Sequence, residues 1–185
     1  MDTGLVNYSV HKAGFPTPEA AVGDNLFTEP LATDLMRLNK SFIVRRSARG
    51  PREMLKVYRE LSAYIRHSIQ EDRAPVWIAQ REGRAKDGID HTEPAIIKML
   101  SLSRDRKSEA FADHIAQLRI VPVSISYELD PCDGLKAHEL QRKRETGRYE
   151  KAEREDVRSI GLGISGSKGR VHVHFAAPLA ADLET

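Results

Sequence analysis

SFIVRRSARGPREMLKVYRELSAYIRHSIQEDRAPVWIA, residues 41–79, decides the fold class of this chain. It begins with a short apolar strand, SFIVR, and ends with a second one, PVWIA. The segment between them predicts a long helix, because Pro51 suits a first helical turn and apolar side chains recur at helical spacing. These side chains are Met54, Tyr58, Leu61, Ile65 and Ile69. A strand, a helix and a strand in succession indicate an α/β fold, with a mixed, mostly parallel sheet flanked by helices.

Other segments continue this alternation. An amphipathic helix opens the chain at Asp2 and stops near Gly14. A short strand is expected within 15–27, and helices within 30–39, 93–103, 108–118 and 134–156. IVPVSISYE (120–128) alternates as a strand does, with Val121, Val123, Ile125 and Tyr127 on one face, and Pro122 marks an edge or a sheet entrance. SIGLGIS (159–165), a glycine-rich turn and RVHVHF (170–175) are together expected to form a hairpin.

Composition limits the possible classes of protein. The chain has 185 residues, of which 40% are hydrophobic and 30% charged, which predicts a single globular domain over 1–185. Cys132 is the only cysteine and fits a reducing compartment. The net charge is only +2, so any attraction to anions must come from a local cluster. One such basic cluster, without an intervening acid, consists of Arg37, Lys40, Arg45, Arg46, Arg49 and Arg52.

Three apolar stretches carry or lead into residues that suit the binding of a phosphate ester. They are SFIVRR (41–46), VWIAQREGRAKDG (76–88) and IVPVSISYE (120–128). Taken singly, the first stretch is also explained as a strand whose basic end reaches water. The second is also explained as a charged surface turn, and the third as an ordinary strand. In this order and at these distances they resemble the second, third and fourth motifs of the glycerol-phosphate and lysophosphatidic acid acyltransferase family.

The resemblance assigns roles to individual residues. The matching positions are Phe42, Ile43 and Arg45, then Glu82, Gly83 and Arg84, then Val121, Pro122 and Val123. It implies that Arg45 and Arg84 bind the acceptor phosphate, because the planar fork of arginine fits phosphate geometry. Glu82 takes a catalytic role by positioning the loop or the acceptor. Gly83 lets the backbone approach the ligand, while Phe42 and Pro122 shape the site.

A second register of the third motif stays open. GRAKDG (83–88) also resembles the loop of the glycerol 3-phosphate branch of the family. In that register Arg81 takes the place of the acid instead of Glu82. Three basic residues are then candidate phosphate ligands: Arg81, Arg84 and Lys86.

The resemblance also gives Asp2 a role. The first motif of the family is a histidine followed, about four residues later, by an aspartate that orients it, and a helix follows the aspartate. We therefore assign Asp2 as the orienting acid and expect the histidine, the general base, to be encoded just upstream of Met1. On this interpretation the 185-residue chain alone has little or no transferase activity. The alternative is that Asp2 is an ordinary helix N-cap.

Several other features are weaker signals. GLGISG (161–166) spells a dinucleotide-binding pattern, but a strand follows it where that motif needs a helix. His172 and His174 share a strand face without a third ligand, so no metal site is predicted. The remaining minor candidates for a base or a nucleophile are His67, His91 and Cys132.

The favoured function is transfer of a fatty acyl group from a thioester of coenzyme A or acyl carrier protein to a hydroxyl of a glycerol-phosphate or lysophospholipid acceptor, in phospholipid synthesis. The resemblance implies neither a bound cofactor nor a metal. It also implies a cytoplasmic protein that is peripheral on the inner face of the cell membrane. There the basic cluster would contact anionic headgroups. The alternative is a truncated or degenerate acyltransferase that binds lipid phosphate without catalysis. Nucleic-acid binding is disfavoured because only 6% of residues are aromatic and stacking residues are few.

Overall fold

The structure is a computed structural model that describes residues 2–23, 34, 38, 40–45, 48–80, 93–150, 152 and 155–179. The helices are α1 (Asp2–Lys12), α2 (Pro51–Gln70), α3 (Pro94–Leu100), α4 (Phe111–Gln117), α5 (Asp133–Thr146) and α6 (Glu155–Ser165), with a 3₁₀ turn at Ser101–Ser103. The strands are β1 (Glu19–Gly23), β2 (Ser41–Val44), β3 (Val76–Trp77), β4 (Val123–Tyr127) and β5 (Val171–Phe175). The helix expected within 30–39 falls mostly outside the described residues.

A parallel three-stranded sheet forms from the first half of the chain. β1 lies between β2 and β3, and both neighbours run parallel to it. The register pairs Ala20 with Ser41 and Gly23 with Val44 on one side, and Ala20 with Trp77 on the other. The α/β class and the parallel strand pairing predicted from residues 41–79 are therefore confirmed.

The long helix α2 joins this sheet to α3 and α4. Its buried residues Leu61 and Ile65 belong to one apolar cluster with Met99, Leu100, Ile115 and Leu118. Strand residues Phe42, Val44 and Val76 pack against the same cluster. Burying side chains of this size stabilises the fold by about 1.5–3 kcal/mol each, so the cluster fixes α2 against the sheet.

A buried polar network lies beside this core. His114 has 0% of its surface exposed; its Nδ1 lies 3.1 Å from Glu109 Oε2, and its Nε2 lies 3.0 Å from the Leu100 carbonyl. Arg66 donates from both terminal nitrogens to the two oxygens of Glu109, each at 3.2 Å. The carboxylate of Glu109 thus ties α2 to α4.

β4 and β5 form a separate antiparallel pair within the described residues. Where the sequence predicted one mixed sheet, the described strands form two sheets. Ser126 pairs with His172 and Ser124 with His174, so these polar side chains share the exposed face. Val123, Ile125 and Tyr127 are half-buried on the other face, as the alternation predicted.

Two expectations for the end of the chain are wrong. SIGLGIS (159–165) belongs to the helix α6 and not to a hairpin. β5 pairs with β4, across the intervening helices α5 and α6, and forms no hairpin with its own sequence neighbour. The strand over RVHVHF is confirmed as β5, and the polar helix expected over 134–156 is confirmed as α5 only as far as Thr146, where Gly147 ends it.

Four apolar residues expected to face the core are exposed. Tyr8 of α1 is 63% exposed and Tyr58 of α2 is 37% exposed, and Val57 is buried where Tyr58 was expected. Ile43 is 48% exposed on β2, and Val121 is 40% exposed because it precedes β4. Among the described helices, none combines the length and the apolar character that crossing a bilayer requires.

Candidate functional site

Arg45 lies at the carboxyl edge of the parallel sheet. It directly follows Val44, the last residue of β2, and its side chain is exposed. Val44 is paired with Gly23, where the central strand β1 ends. β3 runs in the same direction, and the chain leads from it through Gln80 into the third motif. In open parallel sheets ligands bind at this edge, so the topology brings the ends of two motif-bearing strands to the edge where a ligand is expected.

Arg45 is also free of competing acids in the described structure. No ion pair forms between its guanidinium and a carboxylate among the residues described. An exposed guanidinium without an internal partner is available to an external anion.

The basic cluster divides between two ends of β2. Lys40 precedes the strand and Arg45 follows it, five residues apart. At about 3.3 Å per residue the two backbone positions are about 16 Å apart. Arg49 and Arg52, which lie around the start of α2, come after Arg45 in the chain. Lys40 and Arg45 therefore lie at opposite edges of the sheet, although they belong to one basic cluster in the sequence.

The start of α2 follows Arg45 in the chain and carries a partial positive charge. Gly50 adopts a left-handed φ of 91°, open to glycine at little cost, and α2 begins at Pro51. The backbone N–H of Arg49, just before the helix, donates to Glu53 Oε2 at 3.1 Å, and the N-cap residue Gly50 offers no side-chain cap to the first turn of this twenty-residue helix. The aligned peptide dipoles of a helix favour anions at its first turn.

Phe42 packs against the core and does not face a ligand site. Its ring lies against Tyr64 of α2, with ring centroids 4.9 Å apart, and packs on the apolar core. Alternation along β2 places Ile43 and Arg45 on the opposite face from Phe42. Phe42 therefore fixes the strand that carries Arg45, and Ile43 shares the exposed face with it.

Asp2 is the first residue of α1 and is exposed. Its Oδ1 accepts a hydrogen bond of 2.5 Å from the Tyr127 hydroxyl, at the end of β4. Burial and the bond to Asp2 raise the pKa of Tyr127 far above its usual value. The expected start of a helix at Asp2 is confirmed, and the recorded partner of its carboxylate is a tyrosine.

Pro122 stands immediately before β4 and is exposed. Its carbonyl accepts a 2.9 Å hydrogen bond from the Ala176 N–H, which extends the ladder between β4 and β5 by one step. The prediction of a sheet entrance at Pro122 is thus confirmed, and a role of Pro122 in shaping the site stays a prediction.

A cleft of about 270 Å³ lies at the opposite, amino edge of the parallel sheet. Glu19, Lys40 and Arg73 line it. Glu19 Oε2 accepts hydrogen bonds from the Tyr64 hydroxyl at 3.0 Å and the Ser68 hydroxyl at 3.2 Å. Burial raises the pKa of Tyr64, and its hydrogen bond to Glu19 raises it further. These contacts hold α2 against β1 at the amino edge of the sheet, which is the edge opposite Arg45.

The other predicted site residues have mixed outcomes. Outside the described residues are Arg81, Glu82, Gly83, Arg84, Lys86 and His91. Cys132 is buried, and its thiol donates to the Ser159 carbonyl at 3.3 Å, so it is not an open nucleophile. His67 lies 3.8 Å from Asp72 on the surface. The rings of His172 and His174 are nearly parallel, with their centroids 6.4 Å apart. No group of three metal-binding side chains occurs in the described part of the chain.

Sequence reasoning missed Tyr127 as the partner of Asp2. The alternating pattern of β4 predicted only that Tyr127 faces inward, and the two residues are 125 positions apart. Comparison of the chain with family models, with curated proteins and with solved structures finds no match.

Proposed function

We propose that the chain is an acyltransferase domain that moves a fatty acyl group from an acyl thioester to a hydroxyl of a glycerol-phosphate lipid precursor. The observation that carries this proposal is the position of Arg45 at the carboxyl edge of β2, parallel to the strand that leads into the third motif. The two motifs that resemble the phosphate-binding motifs of the family thus follow strands that end at one edge of one sheet.

Arg45 would bind the acceptor phosphate. Its guanidinium is exposed and unpaired among the described residues, and the first turn of α2 follows it in the chain. A phosphate held by two parallel N–H donors of one arginine is fixed in orientation as well as in place. The exposed apolar side chain of Ile43 lies on the same strand face, which suits an acceptor that is apolar next to its phosphate.

The transfer step needs a base for the acceptor hydroxyl. In the proposed reaction the base removes the hydroxyl proton, the oxygen attacks the thioester carbonyl, and the carbon–sulfur bond breaks to release the thiol, which receives the proton. Asp2 would orient a histidine base and hold the required tautomer. Tyr127 occupies one oxygen of Asp2, which leaves the second oxygen for this task. Glu82 or a basic neighbour in 81–86 would complete the acceptor site.

Binding of lipid phosphate without catalysis is the second candidate. It is favoured by one observation: the hydrogen bond recorded for Asp2 in the described structure comes from Tyr127 and not from a histidine. Both candidates share the phosphate site at Arg45.

An acyl-transfer assay separates the two candidates. The reading frame is extended upstream of Met1, and labelled acyl thioesters of coenzyme A and of acyl carrier protein are each supplied with glycerol 3-phosphate or with lysophosphatidic acid. The proposal predicts a labelled acyl-glycerol phosphate product, lost on Asp2→Ala. A folded chain that binds glycerol 3-phosphate but forms no product with either acceptor and either thioester donor supports binding without catalysis.

A further inference from the structure

Two histidines lie side by side on the exposed face of β5. His172 and His174 are two positions apart in the strand, so both side chains leave the sheet on the same face. Both are exposed, while Val171 and Val173 are half-buried on the other face. The two imidazole rings are nearly parallel, with an angle of 11° between their planes and centroids 6.4 Å apart. One strand thus presents two potential metal ligands together to solvent.

The ring nitrogens of both histidines are available to a ligand. Among the residues that the structure describes, neither imidazole forms a hydrogen bond or an ion pair, and their ring contact is with each other. Directly across the ladder, His172 faces Ser126 and His174 faces Ser124, which carry neutral hydroxyls. The lone pair of a neutral imidazole that lacks an internal partner is free to bind a metal ion.

The charge of the arginine next to this pair is offset by a carboxylate. Arg170 is two positions before His172, and its guanidinium Nε lies 3.2 Å from Glu128 Oε2. The same oxygen accepts the backbone N–H of Arg170 at 2.8 Å. Since an unpaired guanidinium beside the imidazoles would repel a metal cation, this ion pair removes a source of repulsion.

We propose that His172 and His174 together bind one divalent transition-metal ion of the class that prefers imidazole, such as Zn²⁺ or Cu²⁺. In a tetrahedral complex with bonds of about 2.1 Å, the two bonded nitrogens lie about 3.4 Å apart, which brings the ring centroids about 1 Å closer than they are here. Rotation of two exposed side chains supplies that movement. Water completes the coordination, because the described residues supply no third ligand. This inference rests on β5 and does not require acyl transfer or the phosphate site at Arg45.

Zinc titration in competition with a chromophoric chelator tests the pair directly. His172→Ala and His174→Ala should each weaken the binding of Zn²⁺ at least tenfold, because a single imidazole cannot chelate. His11→Ala is the matched control, since His11 is exposed on α1, and it should change the affinity less than twofold. Circular dichroism checks that each variant is folded. A loss of less than twofold in either β5 variant, or an equal loss in His11→Ala, would overturn the proposal.

A third imidazole on the neighbouring strand supplies the second test. Ser126 lies directly opposite His172, where Cβ atoms of paired residues are about 4.5–5.5 Å apart. Ser126→His should therefore tighten zinc binding at least tenfold, while Ser126→Ala changes it less than twofold. In the unchanged protein, the paramagnetic resonance spectrum of bound Cu²⁺ should show coupling to two imidazole nitrogens. Zinc binding by Ser126→His no tighter than by the unchanged protein, or coupling of Cu²⁺ to a single imidazole, would overturn the proposal.

Discussion

The Tyr127 hydroxyl donates a 2.5 Å hydrogen bond to Asp2 Oδ1 and so joins the end of β4 to the first residue of α1. The two residues are 125 positions apart in the chain, so this bond holds the first helix against a distant strand. A hydrogen bond to a charged group contributes about 1.5–3 kcal/mol when shielded and less when exposed to water. Because Asp2 is exposed, the contribution of this bond falls below that range.

Tyr127→Phe removes this bond and keeps the ring. We expect the free energy of unfolding to fall by about 1 kcal/mol, measured by urea denaturation. Tyr8→Phe is the matched control, since Tyr8 is 63% exposed on α1 itself, and it should change stability by less than about 0.5 kcal/mol. A double-mutant cycle with Asp2→Ala should show coupling between Tyr127 and Asp2, and strict additivity of the two changes would argue against the bond.

The raised pKa of Tyr127 gives the bond a defined dependence on pH. In the unfolded chain the phenol titrates near its usual value of 10.0, and in the folded chain it titrates above that value. The contribution of Tyr127 to stability is therefore complete below pH 10 and is lost as the pH rises through the folded pKa. In an alkaline titration followed by phenolate absorbance, Tyr127→Phe should lack the component that titrates at the highest pH. A titration curve above pH 10 that keeps this component would show that Tyr127 is not shielded.

The network around Glu109 should matter more for stability than any exposed ion pair. Glu109→Ala leaves Nδ1 of the fully buried His114 without its partner and removes the carboxylate that pairs with Arg66, which are losses of a kind that cost about 3–5 kcal/mol. Glu60→Ala breaks the exposed pair of Lys56 and Glu60, whose side chains are 78% and 55% exposed, and should cost less than about 0.5 kcal/mol. Similar midpoints of urea unfolding for the two variants would contradict the network's role.

The third motif is tested by three separate substitutions. If the loop after β3 binds phosphate, Arg81→Ala, Arg84→Ala and Lys86→Ala should weaken glycerol 3-phosphate binding to clearly different degrees. We expect Arg84→Ala to be most damaging, because Arg84 is the position that matches the phosphate-binding motif, with Arg81→Ala second, because a lysine at position 86 lacks the two parallel donors of an arginine. Equal and mild effects of all three would identify the segment as an ordinary charged surface turn.

Regular local patterns predicted most of the elements. Helical spacing of apolar residues identified α2, and alternation identified β4, because both periods follow directly from backbone geometry. The position of Arg45 at a sheet edge also followed from the strand, helix and strand order in 41–79, since parallel strands end at one edge.

Contacts between distant segments could not be predicted in this way. GLGISG was expected to belong to a glycine-rich hairpin, and glycine is unfavourable inside helices, but residues 161–165 are helical, and at Gly166, just beyond α6, an added Cβ would clash with Pro131. The pairing of β5 with β4 and the bond between Tyr127 and Asp2 depend on how α5 and α6 return the chain, which no local pattern encodes. The exposure of Tyr58 likewise depends on which part of the long helix the core covers.

Calorimetric titration of the chain with glycerol 3-phosphate, comparing Arg45→Ala with Lys40→Ala, tests the central claim most directly. Both residues belong to one basic cluster and flank the same strand, but only Arg45 lies at the carboxyl edge. Loss of a charge-assisted bond to phosphate costs about 1.5–3 kcal/mol, so Arg45→Ala should weaken binding about 10- to 150-fold. Arg45→Lys should restore it only in part, because an ammonium group lacks the planar fork, and Lys40→Ala should change binding less than twofold. Equal losses in Arg45→Ala and Lys40→Ala, or unchanged binding in a folded Arg45→Ala variant, would contradict a phosphate site at the carboxyl edge of the sheet.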